Sequence, residues 1–567
     1  MATNKISDLF HRRFYEIPKY QRSYAWERQN VRELFEDIEE AMASQSNHYL
    51  GTVVLSEGSP VGECYYVVDG QQRLTTLTLI ISEITHRLSK NDSDYYRRLY
   101  IKDPEYRIRP LGRDKLYFES LLEGKVLSPE SKSQRYLKDA YEEISAQLAK
   151  HQDLRTLLRL IERFEVLEFV EKSEGDAIRI FQTVNDRGKL LTNMEKAKPL
   201  LVYYSNKYLS GSLDTKVSEA FGEMFELYDD IKSVADDENI LLIRNREFNE
   251  DNIMRYHFIC FSDENYDASS DYIFSFLKRK LSEMRASKDT NGMIEFITNY
   301  TDDMLNFFRS LKSLVEKTKT NSKYYGIFSI LNLSATMYPL TVKLEQLGIL
   351  DDIVPGRTTP MGGQYTFLDL LELIDVRVYK TRGTDPRADI SRFAHSLNEE
   401  NNKEVILDWM LWFNKNWMMN SEFESSMKAD VYSNGALAYM YIDYCGYLDK
   451  VSFTRDKLKE FVSEYPTIEH VLAQNPTFSL KSAGFENETD FTNTEHRLGN
   501  LAILERRLNS GARNRSPIDK TSVYDRSKFR MSRDLSSQIA SAQKFDKNAI
   551  EDRTEEIWKY LALRWWC

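Results

Sequence analysis

Near its C-terminus the chain reads PTIEHVLAQNP over residues 466–476 and HRLGNLAILERRLNSGARNRSPIDK over residues 496–520. The first run predicts a short apolar strand that ends in Glu469-His470. The second predicts another strand around Leu501–Leu504 and a helix opening near Arg507. In such a strand–strand–helix unit one imidazole, the adjacent carboxylate and two amides nine positions apart, Asn500 and Asn509, can converge on one point. Metal-assisted phosphodiester hydrolysis needs that set of groups. A neutral histidine takes the proton from water, and a hard divalent cation on side-chain oxygens stabilises the departing 3′ oxygen.

Working outward, 567 residues predict three or four domains, at about 100–200 residues each. The composition, 41% hydrophobic and 29% charged with 34 Tyr and 29 Phe, is that of a globular protein with real cores. No apolar run reaches the ~18 residues of a membrane span, and the opening MATNKISDLF lacks an apolar signal core, so a cytoplasmic protein is expected. The four cysteines stand far apart with no CxxC pair, which supports neither a disulfide framework nor a zinc knuckle. A net charge of −11 excludes a general nucleic-acid coat protein but not a focused site. Across Glu505–Asp534 nine Lys or Arg face four Asp or Glu, and across His11–Arg32 six face two. These islands are either phosphate contacts or solvated charged faces.

Upstream, IPKYQRSYAW (17–26) precedes a helix expected over Arg28–Met42, with Val31, Leu34, Phe35 and Ile38 on one face. HYLGTVVL (48–55) and CYYVV (64–68) predict a strand pair. Asp69-Gly70-Gln71-Gln72-Arg73 follows at once. It opens an amphipathic helix whose Leu74, Leu77, Ile81, Ile84 and Leu88 form one stripe. A strand, an Asp-Gly turn and a helix N-terminus can hold an anion, with Arg73 adding charge; the same residues can equally be a plain turn. IRIFQTVNDRGKLL (178–191) carries a second loop, Asn185-Asp186-Arg187-Gly188, suited to completing a phosphate pocket. No proline occurs from Leu200 to Tyr338, which predicts a helical bundle. PGRTTPMGGQ (355–364) reads as a loop, Thr366–Tyr379 and Asn434–Tyr447 as helices, and Ile550–Trp566 as an amphipathic helix whose Trp565-Trp566 close a core.

Five blocks, IPKYQRSYAW, HYLGTVVL, DGQQRLTTL, FQTVNDRG and the EH…GN…N stretch, stand in an order that resembles the GmrSD-type modification-dependent (type IV) restriction endonucleases, in their single-chain, BrxU/SspE-like form. The resemblance covers nearly the whole chain. It implies an α+β, predominantly helical protein with a ParB/sulfiredoxin-like N-terminal domain that binds and hydrolyses nucleoside triphosphate, a helical middle, and a C-terminal ββα-metal (HNH, His-Me finger) nuclease domain. The corresponding boundaries are 1–200, 201–420 and 421–567. For the nucleotide it implies Asp69, Gly70, Gln71, Gln72 and Arg73, with Tyr20, Gln21 and Arg22 near that pocket and Asn185, Arg187 and Gly188 in the second loop. For the nuclease it implies His470 as general base, Glu469 and Asn509 as metal ligands, and Asn500 as the residue that braces the loop. Ala473 departs from the proline usual after the histidine motif, a change in loop stiffness. His496, in a polar turn before Arg497, is expected at the surface or on the DNA backbone.

The expected protein is thus an anti-phage DNA endonuclease, regulated by GTP or ATP, using Mg²⁺ or Mn²⁺ to cut double-stranded DNA that carries a modification such as glucosylated hydroxymethylcytosine or phosphorothioate. Arg506, Arg507, Arg513, Arg515 and Lys520 would grip the phosphates. Two alternatives stay open: a nucleotide-dependent DNA-binding sensor without cleavage, and a toxin-like nuclease for RNA or unmodified DNA. Homodimerisation is also open, since no coiled-coil heptad demands it.

Overall fold

The computed structural model describes residues 2–18, 23–44, 48–58, 63–172, 192–398, 400, 402–475 and 479–567. The chain is α+β and 63% helical. It divides into two compact units, one of residues 1–233, 249–255 and 268–309, the other of residues 234–248, 256–267 and 310–567.

The first unit is built on six strands: β1 (Ala2–Lys5), β2 (Phe14–Ile17), β3 (Tyr49–Glu57), β4 (Cys64–Asp69), β5 (Ile108–Pro110) and β6 (Glu165–Glu171). Their order in the mixed sheet is β1-β6-β3-β4-β2-β5. β3 and β4, the pair legible in the sequence, are antiparallel with Leu55 opposite Val67. The helix Arg28–Ser44 buries Val31, Leu34, Phe35 and Ile38 as its spacing demands. The helix Gln71–His86 differs from expectation. It is buried on every side from Leu74 to Thr85, not along a single stripe. Its hydroxyls make this tolerable by donating to carbonyls, Thr78 to Leu74 O and Ser82 to Leu122 O at 2.8 and 2.9 Å.

The stretch predicted as helical is so in every long element: Asn193–Tyr208, Asp214–Asp237, Glu250–Phe261, Ser270–Ser287 and Thr290–Lys317. Among the described residues no helix is long and apolar enough to cross a membrane.

In the second unit the expected loop at 355–364 is a hairpin of β7 (Ile353–Thr358) and β8 (Gln364–Thr366). A two-stranded ribbon has free edges, so Pro355 can sit in it without breaking a ladder. The helix Phe367–Ile374 widens into a π-helical segment, Asp375–Thr381. There Arg377 is fully buried and donates to Asn414 Oδ1, Trp565 O and Met418 O at 2.9, 2.9 and 2.7 Å. The final helix, Lys547–Trp565, buries Trp565, whose indole donates to Glu372 at 2.8 Å; Trp566, expected in the core, is 42% exposed. Between these elements lies a two-stranded antiparallel ladder, β9 (Pro466–His470) and β10 (Leu501–Glu505), followed directly by the helix Arg506–Ala512. The strand–strand–helix reading is met to within a residue.

Candidate active site

β9, β10 and the turn Leu498–Asn500 that enters β10 build the site. His470 stands opposite Leu501 and Glu469 opposite Ala502. Pleating places Thr467 and Glu469 on one face of β9 and His470 on the other. Asn500 is fully buried. Its Oδ1 accepts from Leu472 N at 2.8 Å, and its Nδ2 donates to Leu472 O and Glu495 O at 3.1 and 2.8 Å. This side chain therefore closes the loop that leaves His470. Gly499 must be glycine: a Cβ there would meet Ile550 O at 1.9 Å. The bare backbone lets Gly499 N donate to Thr554 and lets Arg553 donate to Gly499 O and Leu501 O, at 3.0, 2.6 and 2.7 Å.

Glu469 is buried and forms an ion pair with Lys520 at 2.7 Å. Lys520 is buried too, on the helix Pro517–Tyr524, and also donates to His470 O and Val471 O at 2.6 and 3.2 Å. The DNA-gripping role expected for Lys520 is thus corrected. Its ammonium faces inward and fixes the strand end, where no phosphate reaches it. Burial pushes the Glu469 carboxyl up against the pull of Lys520, and pushes the Lys520 ammonium down against the pull of Glu469.

His470 is 6% exposed. Its Nε2 lies 3.0 Å from Nδ1 of His496. Burial, then His496 and Lys520, push the His470 imidazole down to about 4, while Asp430 pulls the other way. At neutral pH the ring is uncharged and holds a lone pair. Tyr432 covers both rings, 4.5 Å from that of His470 and stacked on that of His496 at 5.2 Å and 11°. His496 is therefore not a surface contact but half-buried in the site. Its place in the same block as Asn500 was the available signal. Tyr432 and Asp430, far upstream in the chain, offered none.

Asn509 donates from Nδ2 to Thr467 Oγ1 at 2.8 Å, tying the helix Arg506–Ala512 to β9 and leaving its amide oxygen as an acceptor. Glu469 and His470 end β9, Asn500 enters β10 and Asn509 sits on the helix that follows, and each engages a different partner: Glu469 Lys520, His470 His496, Asn500 Leu472 and Asn509 Thr467. The alternation of β9 keeps His470 off the face that carries Glu469 and Thr467. Among the described residues no group of three or more His, Cys, Asp or Glu forms a ready metal cage. One carboxylate and one amide oxygen nonetheless suit a hard cation that keeps most of its waters.

Arg506, Arg507, Arg513 and Arg515 are exposed, with no ion pair among the described residues. Other cations of this island are neutralised, Lys528 by Glu460 and Glu464 and Arg530 by Asp534. In the N-terminal island three cations are paired: Arg13 with Glu168, Arg28 with Asp139 and Glu142, and Arg32 with Glu143.

In the first unit Gly70, at φ +95°, turns the chain from β4 into the helix Gln71–His86. Gln72 accepts from Ala25 N at 2.9 Å and donates to Ser23 O at 3.1 Å. Arg73 donates to Leu50 O at 3.0 Å and lies 3.7 Å from Asp69, whose carboxyl burial pushes up. Gln71 lines a small cavity with Ser23, Tyr24, Arg113 and Asp114. Gln72 and Arg73 thus knit the strand–helix junction. Tyr20, Gln21, Arg22, Asn185, Arg187 and Gly188 lie outside the described residues.

No curated protein matches the chain. Two protein families do. The N-terminal domain of the GmrSD restriction endonucleases matches residues 6–202, which include Asp69–Arg73, and their C-terminal domain matches residues 417–560, which include the whole β9–β10 site. With both domains in order on one polypeptide, the chain belongs to the GmrSD restriction endonucleases, nucleases that act on DNA.

Proposed function

We propose that the protein is an anti-phage, nucleotide-regulated endonuclease that cuts modified double-stranded DNA at His470. The observation that carries this reading is the neutral, buried imidazole at the end of β9, beside a carboxylate and a loop locked by Asn500. In the reaction His470 takes a proton from water. The water oxygen forms a bond to phosphorus in line with the 3′ oxygen, whose bond to phosphorus breaks. Glu469 and the amide oxygen of Asn509 would hold Mg²⁺ or Mn²⁺, which supplies charge neutralisation at the leaving oxygen. Asn500 and Lys520 keep the strand end and its loop in place. Arg506, Arg507, Arg513 and Arg515 offer a cationic strip to the backbone. The strand–strand–helix order supports reading residues 421–567 as a ββα-metal nuclease.

Residues 1–200 are read as the ParB-like nucleotide domain, with 201–420 between the two. There the N–H groups opening Gln71–His86 would meet phosphate, and Gln71 and Gln72 line the cavity beside them. Asp69, Gln72 and Arg73 shape the turn that presents them. The test of the nuclease reading is nicking of modified supercoiled plasmid with Mg²⁺ and GTP or ATP. Cutting by the wild type that His470→Ala abolishes, with DNA binding kept, is the expected result. Cutting retained in the variant removes His470 from the chemistry.

A further inference from the structure

We propose that His496 is a positioning residue that sets the ring tautomer of His470, so that the lone pair able to take the water proton sits on Nδ1. The inference rests on the reading of His470 as the base. Nε2 of His470 and Nδ1 of His496 lie 3.0 Å apart, so one ring donates to the other. A neutral imidazole carries a proton on one nitrogen only. If His496 donated, His470 would keep its own proton on Nδ1 and have no lone pair left for water. If His470 donates from Nε2, its Nδ1 is open.

The surroundings of His496 favour the second arrangement. The Glu495 carboxylate lies 3.7 Å from Nε2, on the far side of the His496 ring. That distance is long for a hydrogen bond, yet a carboxylate there draws the His496 proton to Nε2 and leaves Nδ1 as an acceptor. His496 is also held, at backbone and ring, by contacts independent of His470. Val431 N donates to His496 O at 3.1 Å, and Tyr432 stacks on the imidazole at 5.2 Å with planes 11° apart. Glu495, His496 and His470 thus form an oriented series, carboxylate to imidazole to imidazole. When the water proton arrives on Nδ1 of His470, the oxygen lone pair forms the new bond to phosphorus, and the 3′ oxygen leaves with the electrons of the broken one. The imidazolium so formed still donates from Nε2 to His496, which supports the ring before and after the transfer.

The test uses the full-length chain labelled with ¹⁵N-histidine. The eight histidines give a readable ring spectrum, in which His470→Ala identifies the His470 signals. Wild type should show His470 protonated on Nε2. His496→Asn, whose amide oxygen can stand in for Nδ1, should keep that form. His496→Phe retains a ring against Tyr432 but offers no acceptor, and should move the proton to Nδ1. In plasmid cleavage His496→Phe should lose about 10–100-fold in kcat with KM little changed, and His496→Asn should recover most of it. The proposal is overturned by a wild-type His470 protonated on Nδ1, by a His496→Phe variant with unaltered tautomer and kcat, or by His496→Asn no better than His496→Phe. Undiminished cleavage by His470→Ala would instead defeat the base reading, while the ring spectrum would still report the tautomer.

Discussion

The ammonium of Lys520 lies 2.7 Å from the carboxylate of Glu469, with both side chains buried. A lysine amid arginines that would be read as a phosphate contact is the internal counter-ion of β9. Removing one partner of a buried pair leaves the other charge stranded. Lys520→Met should therefore cost about 3–5 kcal/mol of stability. Adding Glu469→Gln removes the stranded charge and should recover most of the loss. Denaturant unfolding of the wild type, the single and the double variant checks this. A single variant as stable as wild type would mean that the pair is open to water.

The exposed arginines should behave differently. Each phosphate contact contributes about 0.9 to the slope of log affinity against log salt. Replacing Arg506, Arg507, Arg513 and Arg515 together by alanine should lower that slope by about 2–4 and weaken binding to all duplexes alike. Lys520→Met should leave the slope unchanged. Fluorescence anisotropy over a salt series measures both.

Arg73→Ala should abolish nucleoside triphosphate hydrolysis, because Arg73 holds the start of β3 to the helix that opens at Gln71. Loss of its bond to Leu50 O should also cost about 1–3 kcal/mol. Phosphate release at the wild-type rate by the folded variant would place the nucleotide site elsewhere.

Much of this architecture can be read from the chain, and the reasons for the exceptions are physical. The β9–β10 unit is legible because Leu501–Leu504 is a buried apolar run bounded by Gly499-Asn500 and Glu505. The helix Arg28–Ser44 is legible because its apolar residues keep one face. Composition alone puts Lys520 with the phosphate-binding arginines, although its spacing carries the opposite signal: Pro517, Lys520, Val523 and Tyr524 share the buried side of one helix. The covering of His470 by Tyr432 is a tertiary contact between segments 38 residues apart, and no local pattern encodes it. Gln72 and Arg73 look like ligand groups in one dimension. Only the fold reveals that Ala25, Ser23 and Leu50 take up their hydrogen bonds.

Asp375, fully buried in the π-helical segment, makes stability depend on pH. Burial pushes its carboxyl up from 3.8 to about 6, against the partial relief of Lys380 at 4.0 Å and Ser334. Between those values the folded chain binds more protons than the unfolded one. Stability contributed by this group therefore falls as pH rises from about 4 to about 6, and stays low above. Asp375→Asn should stabilise the protein by about 1–3 kcal/mol at pH 8 and by nearly nothing at pH 4. Urea unfolding at the two pH values decides, and an equal effect at both would contradict the assignment.

If His470 is the base, this chain cuts modified DNA only while that imidazole is in place. The most direct measurement is cleavage of three matched phage DNAs, unmodified, glucosylated at hydroxymethylcytosine and phosphorothioated. Each is incubated with Mg²⁺, with and without GTP or ATP, using wild type and His470→Ala. Wild type should cut one modified DNA in preference to the unmodified one, and the variant should cut none. Equal cutting of all three, or cutting that survives His470→Ala, would contradict it.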